Sequence, residues 1–355
     1  MKKPRATRRQ HNTPTISDVA ARAGVSPMTV SRVINAKESV RERTRERVEA
    51  AIAALNYAPN AAARALAGGD DIRIGLLHSN PSFAYLSALL VGALDQASRS
   101  NVQLMVEKCD DADDYRAVID HLLAGRVDGV LLPAPLSDAA GILEAIRDAE
   151  LPVVAMATEH APEWALSICI DDKRAAYEMT RHIGALGHRR IGFIKGDPNQ
   201  AASGTRLAGY RRALKDMGLP YDPKLVVNGL FSYRSGLDAA DVLLGLADPP
   251  TAIFASNDDM AAASVAIAHR RGLEVPRDLT VCGFDDTALA TTIWPELTTI
   301  RQPVLDMARI ALERLVQVIR LQRAGRADEI GQSHIRAEHA LIRRQSDAAP
   351  PAADA

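Results

Sequence analysis

Only three cysteines occur in 355 residues, Cys109, Cys169 and Cys282, far apart and odd in number. No C-x-x-C pair or metal-ligand spacing joins them, so no disulfide framework or cysteine metal site is expected, and a reducing compartment is indicated. No apolar run approaches the length of a membrane span, so no membrane partner is expected. The basic N-terminus is not followed by the apolar stretch of a secretory signal, and a cytoplasmic location is expected. Enzyme signatures are missing too. No G-x-S-x-G elbow, Walker loop, H-E-x-x-H or dinucleotide glycine fingerprint occurs, and neither a cofactor nor a metal is expected. The C-terminal QSDAAPPAADA lacks leucine heptads, which argues against a tetramer-forming coiled coil. Its composition predicts disorder over 346–355.

What is present is a globular composition, 47% hydrophobic and 25% charged, in a chain long enough for two or three domains. The net charge of -1 hides an asymmetry. Residues 1–69 carry thirteen Lys and Arg against five Asp and Glu, a formal +8, and the remainder carries 30 against 39, a formal -9. A basic head on an acidic body suits a polyanion-binding head, although a solvated basic tail gives the same charge. The local pattern has to decide.

The first fourteen residues, MKKPRATRRQHNTP, have no apolar periodicity and are expected to form a disordered basic arm. In the following TISDVAARAGVSPMTVSRVIN, Thr15 and Asp18 make a capping box, with Asp in place of the usual Glu. Ile16, Val19, Ala20 and Ala23 give one apolar face. Gly24 ends that helix, and Val25 plugs the space before the next. Ser26 caps a second helix with Pro27 at its first position, where a missing N–H costs nothing. Val30, Val33 and Ile34 face inward, leaving Met28, Thr29, Ser31, Arg32 and Asn35 outside. Two short helices joined by a glycine turn are a helix-turn-helix, whose second helix enters the major groove. Arg32 suits a guanine edge, Pro27 and Met28 apolar readout, and Ser31 and Asn35 phosphate oxygens. A third helix, TRERVEAAIAALNY, buries Val48, Ile52 and Leu55. Next, in YAPNAAARALAGG, Asn60 caps a short helix carrying Leu66, whose apolar side chain suits a wedge between base steps. So short a helix is marginal alone. A plain linker helix would have the same sequence.

From Ile72 onward apolar strands alternate with amphipathic helices, as in IRIGLL, VQLMVE, VDGVLLPA, LPVVAMA, RRIGFIKG, TAIFAS and LTVCGF. This pattern predicts βαβ units and doubly wound parallel sheets. The stretch is too long for one unit, so two lobes are expected. Their boundaries are 72–170 with 303–330 for the first and 171–302 with 331–345 for the second. Ligands of open α/β sheets bind beyond the carboxyl ends of the strands. The residues there are Asn80, Phe83, Tyr85, Asn199, Gln200, Ser203, Arg206, Phe231, Ser256, Asn257 and Asp285, with Trp294 and Gln302 from the crossover. Amides, one Arg, one carboxylate and flat apolar faces suit vicinal hydroxyls and ring C–H groups. Asp286 is read as a helix N-cap. Trp294 is open between lobe packing and ligand contact, His188 is placed at a helix end, and the cysteines are assigned to the core.

Several of these stretches together, TISDVAARAGVSPMTVSRVIN, TRERVEAAIAALNYAPNAAARALA, GHRRIGFI, RLAGYRRAL, ASNDDMAA, GFDDT and LTTIRQP, resemble the LacI/GalR family of bacterial transcription regulators. The resemblance runs from about Thr15 to about Arg344. It implies a small all-α helix-turn-helix head over 15–58, a hinge helix and linker over 59–71, and a two-lobed α/β core resembling periplasmic sugar-binding proteins over 72–345. It also implies a homodimer on a palindromic double-stranded DNA operator, and a small effector, a mono- or oligosaccharide. By motif, Pro27, Met28 and Arg32 take base-reading positions, Leu66 the minor-groove lever and Asn60 a hinge phosphate contact. Thr15, Ser26, Thr29, Tyr57 and Ala63 complete the DNA-facing set. Arg206, Asn257 and Asp285 take principal effector positions, and Tyr85, Phe231 and Gln302 supporting ones. Many relatives have Asp or Asn after the strand LPVVAM, where this chain has Ala157. Thr158 or Glu159 replaces it, or the ligand lacks a group there.

Three functions compete. A repressor of carbohydrate genes, relieved by a sugar, accounts for both head and body. A regulator of the same fold answering to a nucleobase co-repressor or a phosphoprotein is the alternative. A sugar-processing enzyme is the remote one, since the neighbouring Asp285 and Asp286 do not face each other across a sugar as a glycosidase pair must. The apolar stripes near 84–94 and 303–321 fit either a dimer interface or lobe core.

Overall fold

The computed structural model describes residues 14–34, 40–55, 57, 71–109, 115–158, 161–331 and 334–351. The chain divides into two compact units, residues 1–71 and 72–355. The expected arm over 1–13, Asn35, Glu159, and the expected hinge helix with Asn60, Ala63 and Leu66 lie outside the described residues.

The first unit holds α1 (Ile16–Ala23), α2 (Pro27–Ile34) and α3 (Glu42–Leu55). Val19, Ala20, Ala23, Val30, Val48 and Ala51 form its core, with Val25, Val33, Ile34, Ile52 and Leu55 packed around them. The helix termini are satisfied as the sequence predicts. The Thr15 side chain accepts from Asp18 N while Asp18 accepts from Thr15 N at 2.7 Å. Gly24 takes the left-handed conformation, φ 64°, that ends α1. Arg47 of α3 donates to the Ala23 carbonyl at 2.5 Å, adding a charged C-cap.

The second unit is built from two six-stranded sheets. The first comprises β1 (Arg73–His78), β2 (Gln103–Lys108), β3 (Gly129–Pro133), β4 (Val153–Met156), β5 (Leu166–Cys169) and β11 (His334–Arg336), in the order β2-β1-β3-β4-β5-β11. The second comprises β6 (Ile191–Lys195), β7 (Val226–Asn228), β8 (Ala252–Ala255), β9 (Thr280–Asp285), β10 (Thr298–Arg301) and β12 (Ala340–Ile342), in the order β7-β6-β8-β9-β10-β12. The two lobes are therefore topological copies, each with its strand order reversing beside its first strand. Pairing is parallel throughout, except that β12 runs antiparallel to β10. Around the first sheet lie α4 (Phe83–Ser100), α5 (Tyr115–Ala124), α6 (Ala140–Asp148) and α12 (Val304–Arg323). With the second go α7 (Asp172–Ala185), α8 (Ala201–Asp216), α9 (Tyr233–Leu244), α10 (Asp258–Arg270) and α11 (Leu289–Thr292).

The chain passes between lobes after β5, after β10 and after β11. The sequence assigned 331–345 whole to the second lobe. The structure splits it, because β11 pairs with β5 in the first sheet, and only then does the chain return to β12. The tail reading is also corrected. Ser346 accepts from Thr298 N at 2.9 Å and donates to the Val281 carbonyl, Asp347 accepts from His182 at 2.8 Å, and Ala348 N donates to Thr280 at 3.0 Å. The proline- and alanine-rich composition predicted disorder over 346–355, but within the described part, 346–351, Ser346, Asp347 and Ala348 bond the β9 and β10 strands and their neighbours. The three cysteines are buried and form no disulfide among the described residues. His188 is buried between Thr251, Thr280 and the Ala348 carbonyl. Asp286 does not cap a helix. It is ion-paired with Arg301 at 2.6 Å and Arg344 at 2.5 Å, and α11 has no side-chain cap.

The helices α4 and α12 pack against each other, so their buried stripe is lobe core. Contact is closest at Gly92, where a Cβ would stand 2.2 Å from the Leu305 carbonyl oxygen. Gly92→Ala gains about 1 kcal/mol of helix propensity and loses about 1–3 kcal/mol to overpacking against backbone. A net fall in the melting temperature of the core is expected by calorimetry. An unchanged or raised value would mean that α4 and α12 separate freely.

Candidate functional site

On the head, α2 presents Pro27, Met28 and Arg32 exposed, with Met28 64% accessible. Thr29 and Ser31 are half-buried on the same helix. The Ser26 hydroxyl accepts from Thr29 N at 3.2 Å, so it caps the helix while remaining exposed. Tyr57 packs against the head core. The helix thus offers an apolar end and one guanidinium without bulky flanking side chains, a shape suited to a major groove.

In the core, strand ends of both lobes converge on a cavity lined by Asn80, Ser82, Tyr85, Ala134, Ala157, Gln200, Ala202, Arg206, Phe231, Asn257, Asp285 and Gln302. Eight of the thirteen strand-end and crossover candidates read from the sequence are brought together here, and Ser203 and Ser256 do not line the cavity. Nor do Phe83 and Trp294, which are 86% and 74% exposed. Phe83 is the first residue of α4 and turns to solvent, while Trp294 follows α11 and points outward as its neighbours Ala290 and Leu297 take the buried positions. Asn199 lies outside this cavity as well. Ala157 lines it, and among the described residues Thr158 does not, while Glu159 lies outside the described residues.

Arg206 is the centre of the arrangement. It is 5% exposed. Its Nε donates to Asp172 Oδ1 at 2.6 Å, its Nη1 donates to the Ser256 carbonyl, and Asp285 stands 3.8 Å away. The guanidinium lies over the Phe284 ring, 3.6 Å from its centroid. Gln302 Nε2 donates to Asp285 Oδ1 at 2.5 Å. Asn257 caps α10 through Met260 N and donates to the Phe231 carbonyl at 2.9 Å. Backbone strain concentrates here: Ala157, Phe231 and Asp285 have φ of 60°, 57° and 114°, a sparsely allowed region for such residues that recurs at functional sites.

Among the described residues, the buried polar atoms without a hydrogen-bond partner include three at this site, Tyr85 Oη, Gln200 Nε2 and Ser256 Oγ. Tyr85 and Gln200 line the cavity itself. Leaving such groups unsatisfied costs roughly 1–3 kcal/mol each, a cost that a polyhydroxylated ligand relieves. Burial, then the nearby Asp285 carboxylate, pushes the Tyr85 phenol upward and keeps it a neutral donor. The free interior is about 30 Å³, room for only a few waters.

Among the described residues, two hydrogen bonds join the lobes beside the cavity. Ser82 Oγ donates to Asp259 at 2.5 Å, and Ala201 N donates to Asp138 at 2.9 Å. The sequence reading missed these and Asp172, although Ser82 and Asp172 also stand where a strand gives way to a helix. Beneath the cavity, Asp258 is fully buried and accepts from Thr299, Thr287 N and Thr287 Oγ1. Burial raises its carboxyl to about 7 despite those donors. Burial raises Asp285 too, against the pull of Arg206.

A helix-turn-helix head followed by two α/β lobes around a polar cleft defines a DNA-binding regulator with a periplasmic-binding-protein-like core. Residues 15–60 match the family model described as bacterial regulatory proteins, lacI family, and residues 180–346 match a periplasmic binding protein-like domain. Catabolite control protein A of Priestia megaterium is 32% identical over 94% of this chain and 98% of that protein. The crystal structure of the Lac repressor dimer bound to operator and the anti-inducer ONPF is 29% identical, with a TM-score of 0.78 over 95% of this chain and 100% of that one. A complex of the transcriptional regulator CelR with cellobiose is 31% identical, with a TM-score of 0.70 over 94% and 99%. The chain belongs to the LacI family of DNA-binding transcription regulators and, like these relatives, is a regulator rather than an enzyme.

A raised carboxyl means that the folded core keeps a proton that the unfolded chain has released. Its stabilising contribution is full below about pH 4 and is lost as pH rises toward about 7. Asp258→Asn should shrink the fall in melting temperature between about pH 5 and about pH 8. An identical slope in the variant would place the proton elsewhere.

Proposed function

We propose that this protein represses carbohydrate uptake or catabolism genes by binding a palindromic operator as a homodimer, and that a neutral sugar bound between the lobes releases it. The observation that carries the sugar reading is the cavity chemistry: buried donors without partners in Tyr85 and Gln200, beside Asn257, Asp285 and Gln302. Hydroxyls donate and accept at once, so one class of ligand satisfies all of them. The charge balance favours an uncharged ligand. Among the described residues Arg206 is the one cation lining the cavity, and it is already paired with Asp172, which leaves nothing for a phosphate. The resemblance to a regulator in complex with cellobiose supports the same class.

In this reading Arg32, Met28 and Pro27 read bases, and Asn80, Tyr85, Gln200, Arg206, Phe231, Asn257, Asp285 and Gln302 hold the effector. Val91 and Leu94, 53% and 55% exposed one turn apart on α4, supply an apolar face for the dimer. Effector and operator then share one coupling free energy, typically about 1–3 kcal/mol.

The test is operator binding by fluorescence anisotropy at two salt concentrations, with sugars, sugar phosphates and purines. Release by an unphosphorylated sugar is expected. A purine that tightens binding, or release by a sugar phosphate alone, would overturn the reading. Arg32→Ala should cost operator affinity about ten- to a hundredfold while leaving salt-sensitive non-specific binding. Arg206→Ala should abolish the sugar response and keep operator affinity. Equal loss of both would make Arg206 structural only.

A further inference from the structure

The helix α2 is held to the head by little apolar surface. Of its eight residues only Val30 is buried, and Val33 and Ile34 are partly covered. A short helix with a single buried anchor tilts about it unless its leading end is fixed. That end is the turn over 24–26. The turn is closed on one side by its own backbone, where Gly24 N donates to the Ala20 and Ala21 carbonyls and Val25 N donates to Ala20 at 3.0 Å. The carbonyls of Ala23 and Gly24 are met from α3. Arg47 Nη2 donates to the Ala23 carbonyl at 2.5 Å and stands 3.5 Å from that of Gly24.

The approach is tight. A Cβ on Gly24 would lie 2.7 Å from Arg47 Nη2, so the glycine is needed for this contact as well as for its φ of 64°. Arg47 directly precedes Val48, which is 0% exposed in the head core, so the backbone from which it reaches is anchored. A cation at the carbonyl end of α1 gains from the helix dipole and makes a charge-assisted bond. The lever it holds is sensitive. Arg32 lies about 8 Å along α2 from Pro27, so a tilt of about 10° at the start of the helix displaces it by about 1 Å. Specific contacts tolerate roughly 0.5 Å.

We propose that Arg47 is a positioning residue for operator reading: its bond to the turn at Ala23 and Gly24 fixes the angle at which α2 presents Pro27, Met28 and Arg32. This rests on the reading of α2 as the base-reading helix. The competing role for an exposed arginine on a DNA-binding head is a direct phosphate contact, and the two leave different signatures. Loss of a phosphate contact weakens binding to all sequences alike and lowers the salt slope by about 1. Loss of positioning weakens only the sequences that α2 reads.

The test starts from a pool of random duplex DNA bound by the full chain and by its Arg47→Ala, Arg47→Lys and Arg32→Ala variants, with the bound fraction sequenced. The duplex most enriched by the unaltered protein and an unselected control duplex are then titrated by fluorescence anisotropy over a series of salt concentrations. Arg47→Ala should lose about tenfold or more on the enriched duplex, the size of one charge-assisted hydrogen bond, and keep both affinity and salt slope on the control. It should blur several base positions together, where Arg32→Ala relaxes one. Arg47→Lys should recover most of the selectivity, because an ammonium also donates to a carbonyl. Helix content is followed by circular dichroism. If it falls in Arg47→Ala, Arg47→Lys carries the test, with a smaller loss confined to the enriched duplex. Equal weakening on both duplexes with a lower salt slope would make Arg47 a phosphate contact and overturn the proposal, as would full selectivity in a folded Arg47→Ala. If the unaltered protein enriched a sequence and Arg32→Ala enriched the same one equally well, the base-reading assignment would fail first. Enrichment of no sequence at all would overturn both.

Discussion

A guanidinium taken out of water has to be neutralised where it lies, because an unpaired buried charge costs several kcal/mol. Arg206 meets that constraint by drawing in partners from three other elements. Asp172 opens α7, Ser256 follows β8, Phe284 and Asp285 close β9, and Arg206 itself stands on α8. The ends of the second sheet are thereby fixed relative to one another. Through Asp285 the arrangement extends to Gln302, which lies between β10 in one lobe and α12 in the other. A ligand that competes for Asp285 or Gln302 therefore acts on a segment that joins the lobes, and local hydrogen bonding becomes a change of lobe geometry.

The energies involved are of the right size for a switch. Ser82 with Asp259, and Asp138 with Ala201, bridge the lobes by one hydrogen bond each. Each is worth roughly 0.5–1.5 kcal/mol net, more where a carboxylate accepts. Their sum is comparable to an ordinary coupling free energy of about 1–3 kcal/mol. A far stronger clasp would lock the lobes whatever bound between them, and no clasp would leave ligand and lobe position uncorrelated.

Much of this was legible in the sequence because the signals were local. The capping box at Thr15 and Asp18, the glycine stop at Gly24 and the Ser26-Pro27 start each depend on residues within one turn. The strand-end rule found most of the cavity for a similar reason: a residue just past a buried parallel strand has few places to go. The rule failed at Phe83 and Trp294, where position along the chain was right and direction was wrong. Orientation depends on which neighbours fill the core, and Leu297 and Ala290 filled it first. Asp286 was misread because its partners, Arg301 and Arg344, are distant in sequence. Composition misled at the tail, where Ser346 and Asp347 are polar yet buried by bonds to Thr298. The split of 331–345 between the sheets was hidden for the same reason, as strands of three residues carry too little periodicity to reveal their partner.

The central claim is that effector cleft and DNA-reading head share one coupling free energy. Linkage makes the claim reciprocal: the factor by which a sugar weakens operator binding must equal the factor by which operator weakens sugar binding. The direct measurement is the sugar dissociation constant by calorimetry, with the protein free and then saturated with operator DNA. The account predicts that operator raises that constant by the same factor by which the sugar raises the operator constant. A sugar affinity indifferent to bound operator would contradict it, whatever the sugar did to transcription.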